Sequence, residues 1–204
     1  ITENYFEWCD DAVNIFGTYA NPSDTEDNTF TANGMTVKRS GRDIIINNNI
    51  CKNSSEHTFY MECVNLTIDG NTLYIDNAYC IGDIKIRSRG FTVSNNNIVA
   101  YDSGIVISCG AEDGCVQGNT VTLLYEDNEG GAIEISSVGI KTYIDNRPWY
   151  AGYNPLRNIS ITGNTIVAPT TAATSTSKGL GIRLYTDFSS VSGFPDGTMH
   201  GISI

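Results

Sequence analysis

The sequence predicts an all-β chain folded as a right-handed parallel β-helix. Three observations predict it: an asparagine-centred corner that recurs about every 23 residues, an alternating apolar strand before each corner, and a second apolar strand about a dozen residues after it. A coil of this kind cannot bury its own apolar face. Stacked on like coils, it shares a continuous core with its neighbours.

The corners are Ile46-Asn-Asn-Asn-Ile50, Asp69-Gly-Asn-Thr-Leu73, Ser94-Asn-Asn-Asn-Ile98, Gln117-Gly-Asn-Thr-Val121 and Thr162-Gly-Asn-Thr-Ile166. Their central residues are Asn48, Asn71, Asn96, Asn119 and Asn164, spaced by 23, 25, 23 and 45, the last gap holding a double coil or an insertion. Thr2-Glu-Asn-Tyr-Phe6, centred on Asn4, reads as an earlier member. Asn suits a corner because it tolerates left-handed backbone angles, and stacked asparagines can share amide hydrogen bonds along the axis. Glycine before it eases the same bend.

The strands before the corners carry Ile44/Ile46, Leu66/Ile68, Phe91/Val93 and Ile159/Ile161. Alternation of this kind marks a strand with one buried face. The second strands are Val13–Ile15, Phe59–Met61, Ile84–Ile86, Ile105–Ile107, Ile133–Ile135 and Ile182–Leu184. Two strands per coil are therefore expected. A leucine-rich repeat lacks its leucine framework here, and a β-propeller would need longer antiparallel blades.

Residues 1–204 read as a single β-helix segment with insertions at about 18–43 and 137–157. The first insertion holds the acidic stretch Ser23-Asp-Thr-Glu-Asp27 and has room for another strand; the second carries Tyr143, Arg147, Trp149, Tyr150 and Tyr153. Thr170 to Lys178 reads as a polar loop. His200–Ile204 looks like the start of a further coil, so the sequence is expected to be a piece of a longer solenoid.

The net charge of −11 argues against nucleic acid, anionic membrane surfaces and polyanionic substrates. No apolar run approaches the roughly 20 residues of a membrane helix. The six cysteines form no C-x-x-C pair, which speaks against a zinc ribbon, and most are expected to be small buried apolar residues. Sequons occur at Asn53, Asn65 and Asn158; the last two fall where strands begin and read as structural.

Aligning the second strands gives an outward row: Asn14, Tyr60, Lys85, Val106, Glu134 and Arg183. Just before those strands come Asp10 and Asp11, Glu56 and His57, and Asp83. Coils about 4.8 Å apart would gather these five acid-base groups on one surface within ~15 Å. Clustered carboxylates can divide acid and base roles, as glycoside hydrolysis requires. The competing reading is that aspartates at turns accept backbone hydrogen bonds and His57 caps a strand. Asn14, Tyr60, Lys85, Trp149 and Tyr150 are the candidate substrate contacts, since aromatic faces stack on pyranose rings; equally, the insertion aromatics could cover the helix flank. Lys85, Glu134 and Arg183 also read as a surface charge ladder.

The segment Trp8-Cys-Asp-Asp-Ala-Val-Asn-Ile-Phe-Gly-Thr-Tyr19 resembles the D-D-A-[IV]-N-[IV]-x-G-[TH]-Y segment of glycoside hydrolase family 110. More distantly, the acid pair is similar to the G-D-D of polygalacturonases. The resemblance is sharp over about twelve residues and repeat-like elsewhere. It implies a β-helix, an inverting exo-α-galactosidase and Asp10 and Asp11 as the acid/base pair. Cys9 stands where polygalacturonases have glycine, and Phe16 where histidine is common in the galactosidase segment. A further acid that those galactosidases take from an earlier coil has no matching aspartate, only Glu3 and Glu7.

The expectation is thus an inverting glycoside hydrolase that removes terminal α-linked galactose. Glu56 or His57 would tune the acids, with Asp83 as a further carboxylate, and the chemistry calls for no metal or cofactor. The partner is carbohydrate, with an oligomer of the chain left open and no nucleic acid or membrane insertion; the location is secreted, periplasmic, cell-surface or a virion tail. The alternatives are a non-catalytic glycan-binding or structural β-helix of a tailspike or adhesin and a calcium-assisted polysaccharide lyase. The lyase ranks last, because 12 Lys and Arg offer no basic cluster for a uronate.

Overall fold

The computed structural model describes residues 1–19, 29–32, 35–75, 83–101, 103–108, 110–124, 131–138, 156–167, 180–187 and 199–204. Among these there is no helix. The chain is a right-handed parallel β-helix, and each coil contributes three short strands where two were expected.

In chain order the first coil gives β1 (Tyr5–Glu7) and β2 (Asp11–Ile15). The insertion that follows carries β3 (Thr18–Tyr19), β4 (Thr29–Ala32) and β5 (Met35–Lys38), paired as an antiparallel sheet in the order β3-β5-β4. It closes before β6 (Arg42–Asn47). The regular coils continue with β7 (Ile50–Lys52), β8 (His57–Met61), β9 (Val64–Asp69), β10 (Thr72–Tyr74), β11 (Ile84–Ile86), β12 (Arg89–Ser94), β13 (Asn97–Ala100) and β14 (Ile105–Ser108). They end with β15 (Glu112–Gln117), β16 (Thr120–Leu123), β17 (Gly131–Val138), β18 (Leu156–Thr162), β19 (Thr165–Val167), β20 (Leu180–Asp187) and β21 (Met199–Ser203).

Three six-stranded parallel sheets result. The corner sheet runs β1-β7-β10-β13-β16-β19, the second-strand sheet β2-β8-β11-β14-β17-β20, and the pre-corner sheet β21-β18-β15-β12-β9-β6. The strand missed by sequence reading is the three- or four-residue piece just after each asparagine corner. It is too short to show a convincing alternation: the three-residue pieces carry one buried residue, Cys51 or Leu73, between outward neighbours, and Thr120–Leu123 buries only Val121 and Leu123.

Stacking in register makes columns of like residues. Val13, Phe59, Ile84, Ile105, Ile133 and Ile182 face inward on successive strands of the second-strand sheet. Most of this core is fully excluded from water, and each such aliphatic side chain contributes roughly 1.5–3 kcal/mol. Phe91 is in register with Gly114, and a Cβ on Gly114 would lie 2.0 Å from the Phe91 ring. A glycine is required there because the ring of one coil fills the side-chain space of the next.

The asparagine ladder runs inside the corner. It comprises Asn4, Asn49, Asn71, Asn96, Asn119 and Asn164. One member is Asn49, not the expected Asn48: Asn48 is exposed, has φ 55°, and occupies the slot that Gly70, Asn95 and Gly118 fill in later coils. Three consecutive asparagines hid the register. A second column of left-handed residues interrupts the pre-corner strands at Asp43, Asn65, Gly90, Asp113, Asn158 and Gly201. Asn65 donates to Asp43 Oδ1 and Asn158 to Asp113 Oδ1, each at 2.9 Å, so both strand-start sequon asparagines tie their coil to the preceding one through side chains, a structural role as expected.

The linker after the first insertion is pinned by Arg39, whose side chain is buried. Its Nε donates to Arg87 O at 3.2 Å, and its Nη2 to Gly110 O at 2.5 Å and Glu112 Oε1 at 3.3 Å. Burial pulls the guanidinium below its ordinary pKa, and Glu112 opposes that shift.

Candidate functional site

The outward row expected on the second-strand sheet is present in the expected register: Asn14, Tyr60, Lys85, Val106, Glu134 and Arg183 are successive partners. Parallel pairing sets this row, because each coil enters the sheet at the same point of its repeat.

Asp10 and Asp11 sit at the mouth of that sheet. Asp10 lies in the turn after β1 and is exposed; its Oδ1 accepts from Ser55 Oγ of the next coil, and its carbonyl accepts from Glu56 N at 3.2 Å. Asp11 opens β2 and is half-buried. Its Oδ1 accepts the backbone N–H of His57 at 3.0 Å, and its Oδ2 accepts from Asn14 Nδ2 at 2.5 Å. The next coil therefore orients both carboxylates, and Asn14 clamps one of them.

The other acid-base candidates separate by burial. Glu56 is exposed beside Asp10. His57 is 2% exposed and Asp83 1%, so neither shares the open surface expected from the sequence. The two coils meet directly there: Asp83 O accepts the backbone N–H groups of Thr58 and Phe59, each at 2.9 Å.

Tyr60 is also covered, at 6% exposure. Its ring meets Phe16 at 4.6 Å and His57 at 5.3 Å between centroids, and Lys85 Nζ lies 5.2 Å from its centre. Its hydroxyl donates to Glu62 Oε1 at 3.0 Å. As placed, Tyr60 does not offer the open face expected of it, whereas Phe16 beside it is 57% exposed and Asn14 is exposed. Trp149, Tyr150 and the acidic stretch at 24–27 lie outside the described residues.

Sequence reading missed the buried ionic group two residues along the same outward face. Glu62 pairs with Arg87 at 3.1 Å and accepts the backbone N–H of Gly17, while Arg87 Nε donates to Ser108 Oγ at 3.1 Å. The parity of Tyr60/Glu62 and Lys85/Arg87 was the available signal. It also missed Trp8, which is 75% exposed in the turn that carries Asp10.

Among the described residues no group of three or more His, Cys, Asp or Glu side chains is placed to hold a metal. A groove of about 420 Å³ lies on the pre-corner sheet, lined among others by Asp43, Asn65, Thr67, Thr92 and Asp113. Neither Asp10 nor Asp11 lines it.

No protein-family model, curated protein or solved structure matches the chain. What the findings establish is the fold: an all-strand solenoid of three parallel six-stranded sheets, a right-handed parallel β-helix.

Proposed function

We propose that the chain is a β-helical glycoside hydrolase of the inverting type, acting on terminal α-linked galactose. The observation that carries the reading is the adjacent pair Asp10 and Asp11 at the solvent-facing mouth of one sheet, each held by a different donor of the following coil. Asp11 is the general base: with both oxygens fixed as acceptors by His57 N and Asn14 Nδ2, it is oriented to take a proton from an attacking water. Asp10, more exposed and tied through one oxygen only, is the general acid that protonates the leaving oxygen. Inversion needs room for water between two carboxyls, about 6.5–9.5 Å, and neighbouring side chains that diverge from a turn can open such a gap. The galactose preference rests on the resemblance of residues 8–19 to family 110.

A second reading has its own observation. Both Asp11 oxygens are already occupied within the protein, which also suits a carboxylate that fixes a corner of a glycan-binding β-helix without catalysis.

Hydrolysis of p-nitrophenyl α-galactoside and of an α-1,3-linked galactosyl disaccharide separates the two. Loss of turnover in Asp10→Asn and in Asp11→Asn, with melting unchanged, supports the hydrolase. A well-folded parent that turns over neither substrate sinks it and leaves the binding reading.

A further inference from the structure

We propose that Trp8 is the platform on which the sugar ring beside Asp10 and Asp11 stacks, and that this ring is neutral and hydroxyl-rich rather than a uronate. The inference rests on the glycosidase reading of the acid pair and adds to it a substrate-positioning residue.

Two features of Trp8 work against stability at once. Its φ is 57°, in the left-handed region where a bulky side chain is a genuine outlier. It is also 75% exposed, leaving a large apolar surface in water. The next coil adopts the same conformation with a residue suited to it. Trp8 N donates to Lys52 O at 3.1 Å and Asn53 N to Tyr74 O at 3.0 Å, so the two residues occupy the same step of successive coils. The second coil fills that step with Asn53 at φ 54°, a residue type that tolerates the conformation. The first coil spends the same conformation on an indole. Strain retained where a better-suited residue stands one coil away points to a role outside folding.

The position supplies that role. Residues 8–10 are the three-residue turn between β1 and β2, so the Cα atoms of Trp8 and Asp10 are at most about 7 Å apart. Among the described residues no hydrogen bond or ring contact engages the indole. The other two exposed aromatics of the coil are already engaged: the Tyr5 hydroxyl donates to Glu7 at 2.9 Å with Lys52 Nζ 5.6 Å from its ring centre, and the Phe16 ring packs on Tyr60 at 4.6 Å between centroids. A pyranose offers an apolar C–H face to an indole and hydroxyls at its rim to carboxylates. The charged groups around the turn are the four carboxylates Glu7, Asp10, Asp11 and Glu56, against the cation Lys52, which lies over the Tyr5 ring. That acidic surround repels a uronate and an anionic lipid headgroup alike, and it favours an uncharged sugar.

The test compares the parent with Trp8→Asn and Trp8→Tyr. Binding of the α-1,3-linked galactosyl disaccharide is measured by calorimetry, turnover by kcat and KM, and folding by thermal melting. Trp8→Asn should weaken binding and raise KM about tenfold or more, about 1.4 kcal/mol, with kcat little changed and the melting temperature equal or higher. Trp8→Tyr should bind nearly as the parent does. Binding by Trp8→Asn equal to the parent's overturns the proposal, as does a fall in its melting temperature, which would make Trp8 a structural residue. If Asp10→Asn and Asp11→Asn abolish turnover while Trp8→Asn changes nothing, the hydrolase stands without this platform. Binding that depends on Trp8 in a parent without turnover keeps the platform and removes the hydrolase. A glucuronide bound more tightly than the galactoside overturns the substrate class.

Discussion

Asn96 donates both its backbone N–H and its side-chain Nδ2 to the single Oδ1 of Asn119, at 3.0 and 2.9 Å. Asn119 repeats the arrangement toward Asn164, and its Nδ2 also reaches Val93 O at 2.9 Å. Every amide dipole in the ladder thus points the same way along the axis. Asn119→Ala removes the acceptor of two buried donors and strands a backbone carbonyl. We expect it to cost about 3 kcal/mol in urea unfolding, summing unmade buried hydrogen bonds. Asn48→Ala should cost only about 1 kcal/mol, the left-handed penalty alone, and Asn48→Gly nothing. Equal losses at 48 and 119 would mean that the ladder is not the stabilising column.

That pair of variants also marks where sequence reading succeeds and where it stops. The repeat, the inward columns and the outward row from Asn14 to Arg183 were legible because parallel stacking keeps period and parity. Asn48 was mistaken for Asn49 because three identical residues carry no phase. The third strand of each coil, as at Thr72–Tyr74, is too short to show periodicity. The burial of His57, Asp83 and Tyr60 was not legible at all. Parity tells which way a side chain leaves the sheet, but not what the corners and Phe16 then place over it.

Arg39 ties the linker after the first insertion to coils far along the chain, through Arg87 O, Gly110 O and Glu112. Arg39→Ala leaves two carbonyls and a partly buried carboxylate without their donor. Breaking a buried pair from one side typically costs about 3–5 kcal/mol. Arg39→Met should recover part of the loss, because it restores apolar contact along the stem without a charge to desolvate. Denaturant midpoints of the two variants check this, and an unchanged midpoint in Arg39→Ala would refute the strut.

In the proposed mechanism Asn14 acts on the acid pair through Asp11. Its Nδ2 bond to Oδ2 fixes the carboxylate in the plane that the His57 N–H also requires. We expect Asn14→Ala to lower kcat about 10-fold to 100-fold, in the range of lost orienting partners, with thermal melting shifted little because Asn14 is exposed. Asn14→Asp should fare worse than Ala, since it sets a second charge against Asp11. Full activity in Asn14→Ala would show that Asp11 needs no such orientation, which would count against its role as base.

Cys51 offers a pH test of the core. Its thiol is raised from 9.0 to about 12, chiefly by burial and further by the nearby Cys9 and Asp83. The folded state therefore holds its proton in a range where the unfolded state releases it. Below pH 9 the thiol is neutral in both states and costs nothing. As pH climbs from 9 toward 12 the unfolded thiolate is favoured, and stability falls by up to about 4 kcal/mol at roughly 1.4 kcal/mol per unit. Cys51→Ala removes that contribution while leaving other high-pH titrations in place. The stability difference between parent and variant, followed by urea unfolding from pH 8 to 11, should therefore shift steadily in favour of the variant. At pH 8 the native thiol should also resist a thiolate-selective reagent that labels it readily after unfolding. A pH-independent difference, or rapid labelling in the native state, would place Cys51 in contact with water and contradict its position on β7, between Phe6 of β1 and Leu73 of β10.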